Sequence, residues 1–170
     1  MERKAYGLQL YRAGIAPRLL LSVGRFEVSK MRGLELEGTE DLIAVRDATP
    51  PEERHFLVHI GSSGMQIEKL RLPRWSTYGE ALGLRTFLDK QAVHRVLVIS
   101  TDIHLRRVAL SFRKAFQGTR FKFVYCPVPR GVQWHQADFQ YVVQELFKLA
   151  GYRALLSLPP RATRLLMQLK

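Results

Sequence analysis

VLVISTDIHLRRVALSFRK, residues 96–114, joins an apolar run to a helical pattern through a short polar segment. The run RVLVIS, residues 95–100, predicts a strand that is buried on both faces of a parallel sheet. Beyond it, the apolar residues Val108, Phe112 and Phe116 recur at intervals of four, which predicts an amphipathic helix. A strand that leads directly into a helix is typical of an α/β fold.

The rest of the chain also alternates between strand and helix patterns. Apolar runs bounded by turn residues predict strands, and apolar residues at helical spacing predict helices. The predicted strands are RLLLSVG (18–24), HFLVHIG (55–61), QIEKLRL (66–72) and FKFVYCPV (121–128), and the predicted helices cover about 6–14, 77–90 and 137–149, with a broken helical pattern over 30–54. The turn residues 61–64, Gly-Ser-Ser-Gly, predict a hairpin between the second and third strands. We therefore predict one doubly wound α/β domain over residues 1–170, with a basic C-terminal helical segment from about residue 153.

The length and composition fit a globular domain with a core. The chain has 170 residues, 46% of them hydrophobic, and it contains no apolar run of the roughly 18 residues that a transmembrane helix needs. The N-terminus lacks the apolar centre of a secretory signal. The single cysteine, Cys126, excludes an internal disulfide and fits a reducing compartment. These features predict a cytoplasmic protein.

The chain is strongly basic, with a formal net charge of +12 and a pI near 10.3. Surplus lysine and arginine attract phosphate, whether in nucleic acid, in anionic lipid or in a small ligand. No signature of DNA or RNA binding accompanies the charge, so we do not expect a nucleic-acid partner. A solvated basic surface explains the same charge, because charge alone names no partner.

Polar side chains follow the predicted strands at the points where ligands bind in open α/β sheets. The start of a helix presents free backbone amides and a partial positive charge, which suit phosphate or carboxylate. The candidate ligand-binding residues are Ser22 and Gly24 after one strand, Ser76, Thr77 and Glu80 at a helix start with capping-box spacing, and Ser100, Thr101, Asp102 and His104 after the strand 95–100. We expect the strands that end at Ser22 and Ile99 to be parallel neighbours or near neighbours, with their carboxyl ends on one side. One cleft would then bring Ser22, Thr77 and His104 together.

A simpler interpretation of these residues is structural. Ser, Thr and Asp are ordinary N-cap residues, and a histidine in a first helical turn needs no function. His55 and His59 have the i, i+4 spacing of a helical zinc site, but on the predicted strand they lie about 13 Å apart at ~3.3 Å per residue. No metal site is predicted.

Three segments resemble the YdcF/SanA/ElyC-like family. LYRAGIAPRLLLSVG (10–24) is similar to its helix-to-strand segment, STYGEA (76–81) to its NTYENA motif, and ISTDIHLRRV (99–108) to its TSDYHMPRA signature. The matches follow the family's order along the chain. The residues at signature positions are Ser100, Thr101, Asp102, His104 and Arg107.

The resemblance implies a Rossmann-like three-layer α/β domain with a mostly parallel sheet, in which these motifs form a cleft. It also implies a link to bacterial envelope maintenance and a nucleotide-like ligand, such as S-adenosylmethionine. The family offers no settled reaction. Neither a reaction nor a cofactor is therefore assigned to this chain.

The chain departs from the family pattern in three places. The usual first strand, of the type DAIVVLG, has no counterpart, because the chain starts inside or just before the helix that follows it. The segment 22–24 reads Ser-Val-Gly where family members often have Ser-Gly-Gly. Arg71 and Arg74 stand where the family tends to show an acid and a serine. These two candidate anion-binding residues favour either a more anionic ligand or the loss of the ancestral activity.

Two classes of function follow. In the first, the chain binds a phosphorylated or nucleotide-like small molecule, and His104 is the acid, base or hydrogen-bond donor, because an imidazole titrates near neutral pH. Arg107 would pair with phosphate or carboxylate, and Ser100 and Thr77 would orient it. In the second, the chain is a catalytically silent interaction protein. Its basic C-terminal segment would then bind a partner or an anionic membrane, peripherally at the inner membrane surface.

Overall fold

A computed structural model describes residues 1–70, 77–129 and 136–158, and of residues 136–139 the backbone alone. The chain forms two compact units, Met1–Leu72 and Pro73–Lys170. Each unit combines helices with a small sheet, which confirms the predicted α/β class.

The first unit is built on a three-stranded antiparallel sheet with the strand order β1-β2-β3. Its helices and strands are α1 (Glu2–Arg12), β1 (Leu19–Gly24), a 3₁₀ helix (Val28–Leu34), α2 (Thr39–Asp47), a second 3₁₀ helix (Pro51–Glu53), β2 (His55–Gly61) and β3 (Gly64–Lys69).

The β2–β3 hairpin forms where the sequence predicts it. Gly61 and Gly64 face each other across a two-residue turn. Gly64 has a φ of +88°, a left-handed conformation that glycine adopts readily and that strains residues with a Cβ.

The core of the first unit lies on one face of this sheet. Leu21 and Val23 alternate with half-buried residues along β1 and stand opposite Val58 and Phe56 of β2. All four side chains are at most 5% exposed. Because side chains alternate along a strand, Ser22 lies on the other face.

The second unit contains a strand–helix–strand segment with parallel strands. Its elements are α3 (Thr77–Leu88), β4 (Arg95–Ser100), α4 (Asp102–Ala115), β5 (Lys122–Pro127) and α5 (Gln136–Ser157), and β4 pairs with β5. Helix α4 packs against both strands and also against α3 and α5. It therefore lies at the centre of the unit.

Aromatic packing holds α4 on the strands. The centre of the Phe123 ring on β5 lies 5.3 Å from that of Phe112, in an edge-on arrangement, and 4.7 Å from that of Phe116. Phe112 and Phe116 are one helical turn apart, so both rings reach the same side of β5. The four-residue spacing in the sequence is thus confirmed as a buried helical face.

Two expectations for the strands are wrong. The sheet over residues 19–69 is antiparallel, because β1 pairs with β2 and not with β4, so the predicted parallel neighbours belong to different sheets. Strand β4 is not buried throughout, since only Val98 and Ser100 are buried in it. The helix predicted over 77–90 is confirmed, since α3 is described from Thr77 to Leu88.

The predicted basic C-terminal segment lies mostly outside the described residues. Helix α5 continues to Ser157, and residues 159–170 are not described. Within residues 1–70, 77–129 and 136–158, no helix combines the length and apolar content needed to cross a membrane.

Candidate functional site

A cluster of polar side chains joins three helices of the second unit. Thr77 is the first residue of α3, His104 and Arg107 lie one turn apart on α4, and Glu145 and Lys148 lie one turn apart on α5. We call these five residues the Glu145 cluster. Their spacings of three residues place each pair on one helical face.

Arg107 is held by its neighbours on all sides of the guanidinium group. Its Nε donates to Oε2 of Glu145 at 3.0 Å, and its Nη2 donates to Oε1 of the same carboxylate at 3.2 Å. Its Nη1 donates to the hydroxyl of Thr77. This two-pronged geometry matches a planar guanidinium to a carboxylate, and lysine could not reproduce it.

The position of Arg107 also sets the tautomer of His104. Nη2 of Arg107 lies 2.7 Å from Nδ1 of His104. A guanidinium nitrogen can only donate, so Nδ1 must accept and the ring proton of neutral His104 resides on Nε2. Nδ1 is also 3.3 Å from Oε2 of Glu145, which would accept a hydrogen bond from Nδ1 if the ring became protonated there. The cluster therefore gives His104 a donor at Nε2.

Glu145 is the buried centre of the cluster. Its side chain is 3% exposed, compared with 12% for His104 and Arg107. Burial alone would raise the pKa of Glu145, but the hydrogen bond from Lys148, the contact with His104, and the charge and hydrogen bonds of Arg107 lower it below its usual value. Glu145 is accordingly ionised at neutral pH, with Lys148 Nζ 2.9 Å from Oε1.

The charges of the cluster do not cancel. One carboxylate faces the two cations Arg107 and Lys148. The Arg107 guanidinium also lies 5.3 Å from the centre of the Tyr152 ring, an aromatic contact that favours a cation. An anion near His104 would consequently meet a net positive environment.

Buried hydroxyl groups end β4 directly before α4. Ser100 is 2% exposed, and within the described residues the Oγ atoms of Ser100 and Thr101 are buried without a hydrogen-bond partner. Thr101 occupies the N-cap position of α4, yet its side chain makes no capping bond. Since buried hydroxyls normally find a partner, this strand end is a candidate binding position.

A second polar group lies in the first unit. Ser22 Oγ is 2.8 Å from Nε2 of His55, which reaches across from β2. Burial lowers the pKa of His55, and the nearby Lys4 lowers it further while Glu27 opposes the shift. Oε2 of Glu27 accepts a hydrogen bond from the backbone amide of Gly24, with the nitrogen 3.0 Å away, and its Oε1 lies 2.9 Å from Nζ of Lys4. Burial and Lys4 thus favour the neutral form of His55, which is hydrogen-bonded to Ser22.

Three of the predicted site residues meet within the second unit. Thr77, His104 and Arg107 meet in the Glu145 cluster, whereas Ser22 and Gly24 lie on an antiparallel strand of the other unit. Among the remaining predicted residues, Ser100 and Thr101 end β4, Asp102 is exposed in the first turn of α4, and Glu80 is half-buried in the first turn of α3. Three others, Arg71, Arg74 and Ser76, lie outside the described residues.

Sequence reasoning missed Glu145, although the sequence contains a signal for it. Half-buried or buried residues of α5 recur as Val142, Leu149, Tyr152 and Leu156, and Glu145 falls in the same series. An acid in an apolar series is expected to be buried, and a buried acid needs cationic or hydrogen-bonding partners.

In comparisons with known proteins, no family model, no curated protein and no solved structure matches this chain.

Proposed function

We propose that this chain is a YdcF-like domain that binds a small anionic ligand, phosphorylated or nucleotide-like, at the carboxyl end of β4. One observation carries the proposal. Thr77, from one motif of the resemblance, lies in contact with Arg107, from another, and Arg107 holds His104 in turn. The motifs are separated along the chain, so their contact supports a shared role. The reaction, if the ligand is a substrate, is not part of the proposal.

The anionic group of the ligand binds where α4 begins. The first-turn amides of α4 and its partial positive charge favour an anion there. The buried hydroxyls of Ser100 and Thr101 end β4 at the same point and can donate to it. His104, in the first turn of α4, adds the Nε2 donor.

Arg107 has a different role in this proposal from the one expected of it. Its guanidinium already pairs with the Glu145 carboxylate, so a ligand would have to displace Glu145 to take that place. Arg107 instead fixes the tautomer of His104 and supplies positive potential. It is a positioning residue, and His104 is the residue that contacts the ligand.

The wider assignment follows from the same proposal. The β4–α4–β5 segment corresponds to part of a Rossmann-like three-layer domain, whose ligands bind at strand carboxyl ends. The setting would be bacterial envelope maintenance, from the cytoplasmic side. S-adenosylmethionine, which is nucleotide-like but has no phosphate and a net positive charge, belongs among the probes as the counterpart of the anionic ligand.

Isothermal titration calorimetry with ADP, adenosine, inorganic phosphate and S-adenosylmethionine tests the proposal. We expect ADP to bind more tightly than adenosine, and its affinity to fall as salt rises, because exposed charges are screened over about 10 Å at 0.1 M. His104→Ala should weaken ADP binding tenfold or more, equivalent to about 1.4 kcal/mol.

Two matched arginine variants separate the positioning role from general charge. Arg107→Lys removes the two-pronged donor and should also weaken binding about tenfold, whereas Arg106→Lys, at the exposed neighbouring position, should change it less than twofold. If none of the four probes binds, or if His104→Ala binds ADP like the parent, the proposal is wrong. Tighter binding of adenosine than of ADP would replace the anionic ligand with a neutral one.

A further inference from the structure

The positive charge of the chain is concentrated in the second unit. Residues 1–72 contain 11 lysines and arginines and 10 acids, whereas residues 73–170 contain 16 lysines and arginines and only 5 acids. The first unit is therefore nearly neutral, and the second carries a net charge of +11. Self-repulsion of this size weakens a compact unit unless an external anion relieves it.

Four of these cations lie at or shortly before the amino ends of β4 and β5 along the chain. Arg95 begins β4 and Lys122 begins β5, and the two residues stand in register on neighbouring strands. Arg120 comes two residues before β5, and Lys90 follows the end of α3. All four side chains are exposed. We call this set, Lys90, Arg95, Arg120 and Lys122, the basic edge.

The basic edge lacks internal compensation. Neighbouring strands lie about 4.8 Å apart, so Arg95 and Lys122 repel each other. Over the ranges that the structure describes, none of the four forms an ion pair. The nearest acid in sequence, Asp89, lies 3.7 Å from Arg85 instead. The arrangement favours a bound partner with several negative charges.

An apolar side chain adjoins these cations on the sheet. Val124 is 57% exposed and follows Lys122 by two residues, so both project from the same face of β5. On β4, the half-buried Leu97 is in register with Val124 of β5, just as Arg95 is in register with Lys122. Cations beside exposed aliphatic groups suit a lipid surface, where the cations meet headgroup phosphates and the aliphatic groups reach the acyl boundary.

We propose that the basic edge, together with Val124, docks the second unit on a membrane surface rich in anionic phospholipid. The surface is distinct from the proposed ligand site. Arg95 and Ser100 are at opposite ends of β4, about 17 Å apart at ~3.3 Å per residue. Nucleic acid shares the phosphate chemistry, but it offers no apolar layer for Val124 and Leu97. The lipid partner therefore accounts for more of the surface.

Co-sedimentation of the full chain with vesicles tests this proposal. Vesicles of phosphatidylcholine mixed with phosphatidylglycerol should bind the protein, and vesicles of phosphatidylcholine alone should not. Each basic residue near an anionic surface is worth roughly fivefold in partitioning, so Arg95→Glu with Lys122→Glu should weaken binding at least 25-fold. Val124→Ser should weaken it severalfold without any change in charge.

A second double variant controls for net charge. Lys30→Glu with Lys69→Glu makes the same charge change at exposed positions of the first unit and should alter vesicle binding less than threefold. Circular dichroism and melting curves establish that all variants are folded.

Two results would overturn the proposal. Equal losses in the two double variants would show that only the total charge matters. Tighter binding to a short DNA duplex than to anionic vesicles, unaffected by Val124→Ser, would assign the surface to nucleic acid.

Discussion

Replacing Glu145 with glutamine tests whether the Glu145 cluster stabilises the second unit through its buried charge. Glutamine has nearly the same shape but is neutral, and one of its two ends is a donor. If the amide oxygen takes the place of Oε1, the amide nitrogen faces Nε of Arg107, which is also a donor. If the oxygen takes the place of Oε2, the nitrogen faces both Nη2 of Arg107 and Nζ of Lys148. Either orientation leaves at least one cationic donor of the cluster without its acceptor.

The expected cost follows from the burial of the pair. Removing one partner of a buried ion pair costs about 3–5 kcal/mol, because the other charge remains buried without compensation. Arg107 is 12% exposed and keeps its bond to Thr77, so the lower end of that range, about 3 kcal/mol, applies. For a protein of this size 1 kcal/mol shifts the melting temperature by about 2–4 °C, so the midpoint should fall by about 6–12 °C.

Urea unfolding followed by circular dichroism measures this loss, and two further variants interpret it. Lys148→Gln removes a partner that is 49% exposed and should cost less than about 1 kcal/mol. Arg107→Met combined with Glu145→Leu removes both charges and should be more stable than Glu145→Gln, although it has lost more hydrogen bonds. If Glu145→Gln unfolds within 1 kcal/mol of the parent, or if Lys148→Gln costs as much, the buried-charge explanation is wrong.

Three further predictions concern the first unit. Because burial lowers the pKa of His55, the unfolded chain binds a proton more readily, so the contribution of His55 to stability should be constant above about pH 6.5 and fall as the pH drops through the folded-state pKa. His55→Gln should flatten this decline in urea midpoints measured between about pH 7 and 5. An unchanged decline in the variant would contradict the role of His55. Burial would raise the pKa of Glu27, but its bonds with Gly24 and Lys4 lower it, so its contribution to stability is present above about pH 4.5 and lost below. Acid titrations of Glu27→Gln should therefore show a smaller loss of stability below about pH 4.5 than the parent. A titration like that of the parent would argue against this role of Glu27. Gly64→Ala should destabilise the hairpin by about 1–2 kcal/mol in urea unfolding, because φ is +88°. Gly33→Ala, where an added Cβ would meet no other atom within 4 Å, should cost nothing. Equal effects of the two substitutions would refute the turn argument.

The local elements of the fold were predictable because short-range patterns determine them. The β2–β3 hairpin depends on the glycines at the ends of a two-residue turn, and the four-residue spacing of Phe112 and Phe116 specifies the buried face of α4. The parallel pairing of β4 with β5 follows from the helix between them, since parallel neighbours need such a crossover. Each of these inferences uses residues that are close along the chain.

The partner of β1 was not predictable by the same route. RLLLSVG has the continuous apolar character of a central parallel strand, and Ser22 at its end fits a ligand site. In the structure Ser22 stands opposite Leu57, which brings the His55 side chain diagonally across the ladder to its hydroxyl. The strand's register with β2, some 30 residues later, decides this contact, and no local pattern encodes that register.

Glu145 shows how far a buried charge can be anticipated and where the inference stops. Its place in the apolar series of α5 indicates that the side chain is buried, and the high cost of an unpaired buried carboxylate requires a cation nearby. The second unit has 16 lysines and arginines against 5 acids, so the sequence offers many partners and identifies none. The choice of Arg107 depends on the packing of α4 against α5, a contact that joins residues 38 positions apart.

That same contact decides the chemistry of His104, because the arginine that satisfies Glu145 also donates to Nδ1 and leaves the proton on Nε2. The properties of His104 are thus set together with those of an acid 41 residues further along the chain. A site of this type therefore needs a buried acid on α5 as well as the histidine and arginine of α4.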